Sequence, residues 1–483
     1  MFKFAEVITS EQIERVHEAS LEILENIGLL VRNQKAREVF ARHGCLIETG
    51  SELVKFPRAV VEEFRAVFPP TFTFRGRDPR FDRTIPGDSP LVVTGSSAPN
   101  LIDPITRCER RSTSADIANI AHLINELPGY DIFSISTLAD DAPPGHFTLA
   151  RLYPALKNCL KPVRSTATDR EDAEMMLELA YLIAGSEGAY RERPFVTHHF
   201  CPVVSPLTMD YTSTEMVMFF AEQGLPVYGS VVPNAGLSSP MTMAGTLAQG
   251  NAEFLASSVL LQMVRSGTPL IYSTLPTIAD LRTGAYASGG IECGLLHMAF
   301  AQMARFYKVP YGGYIGLSNA KINDAQSGYE TGMSTLAGVL AGMDMLNMGG
   351  LLDALKAFDF AKAVIDDEIA LMLKRVVRGM QFSEQDLALD VIAEVGPGGM
   401  FMVHEHTVSH MRTISVTPRI SDRDQREVWE ARHSLDSQAR AMRRVREILS
   451  QHNPVTFPDE VEQRIRARFE GLVSGEAVLP VGL

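Results

Sequence analysis

The chain has 483 residues, 45% of them hydrophobic, with 45 Lys and Arg against 58 Asp and Glu for a net charge of −13. That length supports a large core, and the acidic balance argues against nucleic acid, which selects a basic surface. Residues 1–7 carry no apolar signal segment, and no uninterrupted apolar run of about 20 residues is available to span a membrane. The 5 cysteines (Cys45, Cys108, Cys159, Cys201 and Cys293) are scattered and lack CxxC spacing, which fits free thiols in a reducing cytoplasm.

Residues 1–75 read as a helical extension. Thr9 and Gln12 form a capping box, Ile13, Val16, Ile23 and Ile27 trace one apolar face, and Gly28 ends the helix. A second helix is expected over 34–44. A third starts at Pro57 and buries Val60, Val61, Phe64 and Phe68. Short strands fit 29–31 and 46–48, and the extension is expected to pack on the main domain or close one end of it. Residues 76–420 form that domain. From about residue 131, short apolar or β-branched runs alternate with helical ones. Strands are expected at 132–136, 163–166, 195–200, 227–231, 270–273, 311–315, 345–348 and 401–403. Strand–helix alternation of this kind is the pattern of an α/β fold closed as a (β/α)8 TIM barrel. No Gly-x-Gly-x-x-Gly follows the first strand, which disfavours a dinucleotide-binding fold. Residues 421–483 read as a C-terminal helical segment: a charged, exposed or oligomer-facing helix over 421–451 containing Trp429, then a short helix over 454–473.

Chemistry in such a barrel gathers where strands end. Those positions offer Thr137, Thr166, Thr168, His198, His199, Cys201, Ser205, Ser230, Ser273, Thr274, Tyr314, Ser318, Asn319, Lys321, Asn347, His404 and His406. Hydroxyl, amide and imidazole groups dominate, without the Asp and Glu run of a hard-metal site or a Gly-x-Ser-x-Gly elbow. His404 and His406, two apart on a strand, either share a metal or are ring donors at the barrel end. The run Gly396-Pro397-Gly398-Gly399 is an anion cradle or a tight turn. Lys321 is a desolvated base or a solvated loop lysine, and Asp324 and Gln326 suit a helix cap. Glu253 and Glu292 fall in apolar helical stretches and need partners there.

The segment Leu317-Ser318-Asn319-Ala320-Lys321 follows the sixth expected strand, and it resembles the signature loop of the trimethylamine methyltransferase family. Segments at 101–116, 201–207, 239–253, 364–369 and 398–412, with Gly342, extend the resemblance over nearly the whole chain. Founding members carry pyrrolysine before a Ser-Asp-Ala-Lys run; Leu317 stands at that position and Asn319 replaces the Asp. The resemblance to this methanogenesis-related family implies a TIM-barrel methyltransferase. It would move a methyl group from a quaternary amine, glycine betaine or a related betaine, to the Co(I) corrinoid (cobalamin) of a separate carrier protein, with no metal of its own. No Asp-x-His-x-x-Gly corrinoid motif occurs in the chain. A small-molecule amine and a cognate corrinoid protein are the implied partners, in a cytoplasmic homo-oligomer that binds neither nucleic acid nor membrane. An aromatic cage suits the ammonium head, with Phe200, Tyr272 and Tyr314 as candidates. His199 and His404 are candidates for a betaine carboxylate, Glu253 is a nearby carboxylate, and Leu317 lines the pocket or packs into its wall. The alternatives are a metal-dependent barrel hydrolase using His404 and His406, and a betaine-binding protein without catalysis.

Overall fold

The computed structural model describes residues 4–453, 455 and 457–483. Met1–Lys3, at the head of the segment read for a signal, and Pro454, at the expected start of the last helix, lie outside the described residues.

Eight parallel strands form one sheet: Leu91–Val93, Phe133–Ser134, Val163–Ser165, Val196–Phe200, Val227–Val231, Tyr272–Thr274, Tyr311–Tyr314 and Met345–Asn347. Each pairs with the next in chain order from the second onward. The eighth returns to the first, Met345 opposite Leu91 and Asn347 opposite Val93. The ring closes between first and second through the parallel bridges Val93–Ile132 and Ala98–Thr137. A helix follows every strand, from Ser114–Glu126 after the first to Phe360–Val377 after the eighth. The TIM barrel is therefore present, with one correction to its composition. The expected strand at 401–403 does not form: these residues are exposed and lie in a turn. Leu91–Val93 is the first strand instead, buried at all three residues as a strand covered on both faces must be. With it the ring is complete at Asn347, so no open edge is left for 401–403 to join.

The barrel interior has two layers. At the N-terminal end, Leu91, Val93, Ile132, Tyr228, Ile271 and Met345 form an apolar cluster. The hairpin Phe72–Phe74 with Arg83–Ile85 plugs this end, adding Phe72, Phe74 and Ile85 to the cluster. The polar layer above it is described below.

The N-terminal extension packs on the side of the barrel. Thr9 Oγ1 accepts from Gln12 N (3.2 Å) and Gln12 Oε1 from Thr9 N (2.9 Å), completing the expected capping box. Helices Ser10–Glu22 and Arg58–Arg65 both lie against the barrel helix Met243–Val264. Gly28 ends the first helical stretch at φ +81°, where a Cβ would also strike the Val54 carbonyl. Strand Leu29–Val31 then pairs in parallel with Thr208–Met209 in the loop after the fourth barrel strand. At the other end of the chain, Ser437–Leu449 turns one face inward within the stretch 421–451, which was expected to be an exposed or oligomer-facing helix. Ala441, Val445, Ile448 and Leu449 are buried, and the helix packs against Phe360–Val377 and Ser114–Glu126. Among the described residues no helix is long and apolar enough to cross a membrane.

Candidate active site

Barrel strands alternate their side chains between the interior and the surrounding helices. Above the apolar plug the interior row turns polar, contributing Ser134, Arg164, His199, Ser230, Ser273 and Tyr314. Most of these open into a cavity of ≈ 320 Å³ at the C-terminal end of the strands, with Ser96, Arg151, Phe200, Cys201, Leu275 and Leu355 among its other walls.

Arg164 organises the floor. Its Nε donates to Ser134 Oγ (2.9 Å), one terminal nitrogen to the Tyr228 hydroxyl (2.9 Å) and the other to the Tyr314 hydroxyl (2.8 Å). The Tyr314 hydroxyl is in turn 2.6 Å from Ser96 Oγ, and its ring lies 5.2 Å from the guanidinium. Every one of these partners is neutral. Arg151 donates to the Thr137 carbonyl (3.2 Å) and Ser97 Oγ (3.0 Å). Burial brings its pKa down to about 10, so it too is charged at neutral pH. Among the described residues lining the cavity there is no Asp or Glu. The Asp172 carboxylate is near enough to Arg151 to work against the effect of burial, whereas Arg164 is a buried positive charge with no carboxylate among its hydrogen-bond partners, an arrangement that costs stability unless something else supplies an anion.

His199 completes the polar layer. Its Nε2 is 2.7 Å from Ser230 Oγ, which is 2.6 Å from Ser273 Oγ, and its ring lies 4.8 Å from that of Tyr228. Burial, and then the charge on Arg164, hold the imidazole well below its ordinary pKa, so it is neutral. Leu317 packs with Leu275 and Tyr314, both of which face the cavity, and so backs its wall.

The structure thus brings His199, Tyr314 and Phe200 to the cavity and sets Leu317 behind it. Three other expected residues stand elsewhere. The Tyr272 ring points outward and stacks on Phe254 at 3.6 Å, with its hydroxyl donating to Asn251 Oδ1 (2.7 Å). Glu253 is fully buried on the helix Met243–Val264 and holds the loop after the fourth strand: it accepts from Ser205 Oγ (2.6 Å), Leu207 N (3.0 Å) and Gln249 Nε2 (2.9 Å). Burial raises its pKa, against the pull of those three donors. His404 caps the surface helix Glu405–Ile414, its Nδ1 accepting from His406 N (3.1 Å), while His406 stacks on His410 at 4.2 Å. The pair His404 and His406 is therefore not presented side by side by a strand. Among the described residues no group of three or more His, Cys, Asp or Glu is placed to hold a metal ion.

The loop after Tyr311–Tyr314 is a braced structural element. Gly316 turns it at φ +74°, with a Cβ there falling 2.5 Å from Thr335 Cγ2. Glu330 accepts from Ser318 Oγ (2.7 Å) and Asn319 N (2.8 Å). The Asn319 amide ties the loop to the hairpin that follows the sixth strand, accepting from Gly289 N (2.8 Å) and donating to the Tyr286 carbonyl (2.9 Å). An ionised Asp could accept the first bond but not donate the second. Lys321 is exposed and pairs with Asp353 at 3.0 Å, and Asp324 caps the helix Ala325–Leu340 through Gln326 N (2.9 Å). Arg164, Arg151, Ser96 and Ser134 were not among the residues expected from sequence. The available signal was Arg164 itself, a charged side chain inside an otherwise strand-like run, where burial is costly without a purpose.

The sequence matches the trimethylamine methyltransferase (MTTB) family over residues 1–470. It is 34% identical to a glycine betaine methyltransferase of Desulfitobacterium hafniense (strain Y51), covering 95% of this chain and 96% of the relative. It is 30% identical to the trimethylamine methyltransferase MttB of D. hafniense (strain DSM 10664 / DCB-2), over 96% and 93% of the two chains. It is 29% identical to MttB of Methanosarcina thermophila, over 92% and 93%. One family accounts for the match over residues 1–470, and the chain belongs to it: this is a methyltransferase of the trimethylamine methyltransferase family.

Proposed function

We propose that the chain moves a methyl group from a quaternary ammonium carboxylate, glycine betaine or a close analogue, to the Co(I) corrinoid of a separate carrier protein. Arg164 is the observation that carries this reading: a fully buried guanidinium at the cavity floor whose partners are all neutral. A substrate carboxylate supplies the absent anion, with Ser96 and the Tyr314 hydroxyl beside it as further donors. Anchored there, the substrate turns its cationic head away from the guanidinium and toward the open mouth, because like charges repel most strongly where water is excluded. The rings of Tyr314, His199 and Phe200 flank that path and suit a methylated ammonium. Neutral His199 adds no repulsion. The same field disfavours trimethylammonium, a cation with no anionic end to seat on Arg164.

A corrinoid presented at the mouth would supply the Co(I) nucleophile. The chain's own residues anchor the substrate, aim one methyl along the barrel axis and exclude water. As the methyl leaves, the C–N electron pair stays on nitrogen, giving a neutral tertiary amine, so the step needs no acid or base from the cavity. Leu317, at the position matched to pyrrolysine, has no reactive group, and an already quaternary nitrogen requires none.

The test pairs binding with turnover. Calorimetry should show glycine betaine binding and tetramethylammonium, its equivalent without a carboxylate, not binding. Absorbance should report methylation of free cob(I)alamin by the betaine and not by trimethylamine. Equal affinity for tetramethylammonium and betaine would refute the carboxylate anchor.

A further inference from the structure

The hairpin that follows the eighth barrel strand ends in a turn that its sequence does not favour. Leu351–Leu352 and Ala357–Phe358 pair antiparallel, and the turn between them holds Asp353 at φ +49°, Ala354 at +52° and Leu355 at +77°. Three successive left-handed residues, none of them glycine, cost conformational energy, and tight hairpins ordinarily place Asn or Gly there. Such a run persists only where its surroundings fix it. Here the loop after the seventh strand does so. Asp353 N donates to the Ala320 carbonyl (2.9 Å) and Ala354 N to the Ser318 carbonyl (2.8 Å), while the Asp353 carboxylate pairs with Lys321 at 3.0 Å. On the other side, Asn100 N donates to the Lys356 carbonyl (3.1 Å), and Ala357–Phe358 pairs with the strand Asn100–Ile102. What the strained turn presents is the Leu355 side chain. It lines the cavity and packs against the cluster of Leu275, Tyr314 and Leu317. Among the described apolar residues lining the cavity, it alone has a positive φ.

We propose that Leu355 is a specificity-determining residue that limits the size of the ammonium head, admitting three methyl groups and excluding bulkier alkyl groups. Leu355 acts on the end of the substrate away from Arg164, so its role rests on the carboxylate anchor proposed above. A betaine seated on Arg164 and aimed at the mouth carries its nitrogen up along the cavity walls. Tyr314 joins the two regions: its hydroxyl accepts from Arg164 (2.8 Å) and its ring belongs to the cluster that Leu355 packs on. A trimethylammonium group is a cation covered by methyl hydrogens, with no donor or acceptor to read. Aliphatic and aromatic walls suit that surface, and only shape can tell it from a larger head. Rejection by shape requires a wall that does not yield. A leucine on a loose loop would move aside for an ethyl group. One on a turn held by backbone hydrogen bonds to the segments on both sides of it stays in place, and this gives the left-handed run a purpose. It also gives the Ser318–Lys321 segment a part in this chain. Among the described residues lining the cavity none comes from 318–321, and the carbonyls of Ser318 and Ala320 instead hold the wall.

Calorimetry with glycine betaine and with its triethylammonium homologue, each N-methyl replaced by N-ethyl, tests the assignment. The wild type should bind the homologue at least about a hundredfold more weakly than betaine, and Leu355→Ala should close that gap at least about tenfold, chiefly by gaining affinity for the homologue. Leu355→Gly should close it too. Because glycine suits φ +77°, that variant should also unfold at a higher denaturant concentration than Leu355→Ala, the reverse of the usual order. A wild type that binds both ligands equally, unchanged selectivity in both variants, or an equal loss of both ligands would each overturn the role of Leu355 and leave the carboxylate anchor standing. A wild type that does not bind betaine would overturn the anchor, and the role of Leu355 with it.

Discussion

The two layers of the barrel interior are a few ångströms apart and built on the same eight strands, yet they obey opposite rules. At the N-terminal end, Leu91, Val93, Ile132, Ile271 and Met345 close around Phe72 and Phe74 in an apolar plug. One side-chain position further along, the strands present Ser134, Arg164, His199, Ser230 and Tyr314, and a charge is buried without a counter-charge. Tyr228 joins the two: its ring packs on Phe72 at 5.7 Å while its hydroxyl accepts from Arg164. One layer supplies stability that the other spends, which is the usual division between the ends of a barrel of this kind.

That division can be broken from either side. Phe74→Ala should have the largest effect, destabilising the protein by about 3–5 kcal/mol, because it empties the plug at a fully buried ring. The protein that remains folded should bind glycine betaine as before, a result read by denaturant unfolding alongside calorimetry. Arg164→Met should do the reverse. Betaine affinity should fall by about 3 kcal/mol, more than a hundredfold, while unfolding stability holds or rises, since an uncompensated buried charge is replaced by an apolar chain of similar length. A stability loss from Arg164→Met as large as that from Phe74→Ala would show that the guanidinium is chiefly a structural strut for the two tyrosines.

The plug and the polar layer were unequally legible in the sequence. Strands from Phe133 to Asn347 announce themselves as apolar or β-branched runs between helices. Leu91-Val92-Val93 is a similar run, but it is short and sits among Pro, Gly and Ser, as loop segments do. Residues 401–403 mimic a strand because their apolar composition is that of a buried strand although they lie exposed in a turn, and only the completed ring tells the two apart. The placement of site residues was hidden for a different reason. Tyr272 and Ser273, like His198 and His199, are neighbours on one strand, and which of each pair faces inward depends on register with both adjacent strands. His199 faces the cavity whereas His198 stacks on Phe220 at 3.6 Å. Glu253 was legible as a buried carboxylate in need of partners, but those partners, Ser205 and Leu207, lie 46 to 48 residues away in sequence.

Titration sharpens the contrast further. Asp344, at the entry to the eighth strand, accepts from Tyr311 N at 2.8 Å, and burial raises its pKa to about 6 from 3.8. The folded protein therefore holds this proton when the unfolded chain has lost it. Stability from Asp344 is present below pH 3.8, falls as pH rises toward 6 and is absent above. Asp344→Asn keeps an acceptor for Tyr311 N and removes the titration, so the variant should gain up to about 3 kcal/mol over the wild type well above pH 6 and nothing below pH 4, measured by denaturant unfolding across that range.

His199 should show the smallest response, and its flatness is informative. A histidine in water changes charge near pH 6.5, but burial and the adjacent Arg164 keep this one neutral well below that. Calorimetric affinity for glycine betaine should therefore show no step as pH passes through 6.5. A step there would mean that the imidazole takes up a proton in reach of solvent. It would then place a second cation beside Arg164, along the path the trimethylammonium is proposed to occupy, and the head group would be repelled from the rings assigned to hold it. Flat affinity across that pH, together with loss of binding in Arg164→Met, would separate the two roles in the polar layer: one fixed charge that anchors the carboxylate, and a neutral wall that tolerates the cation.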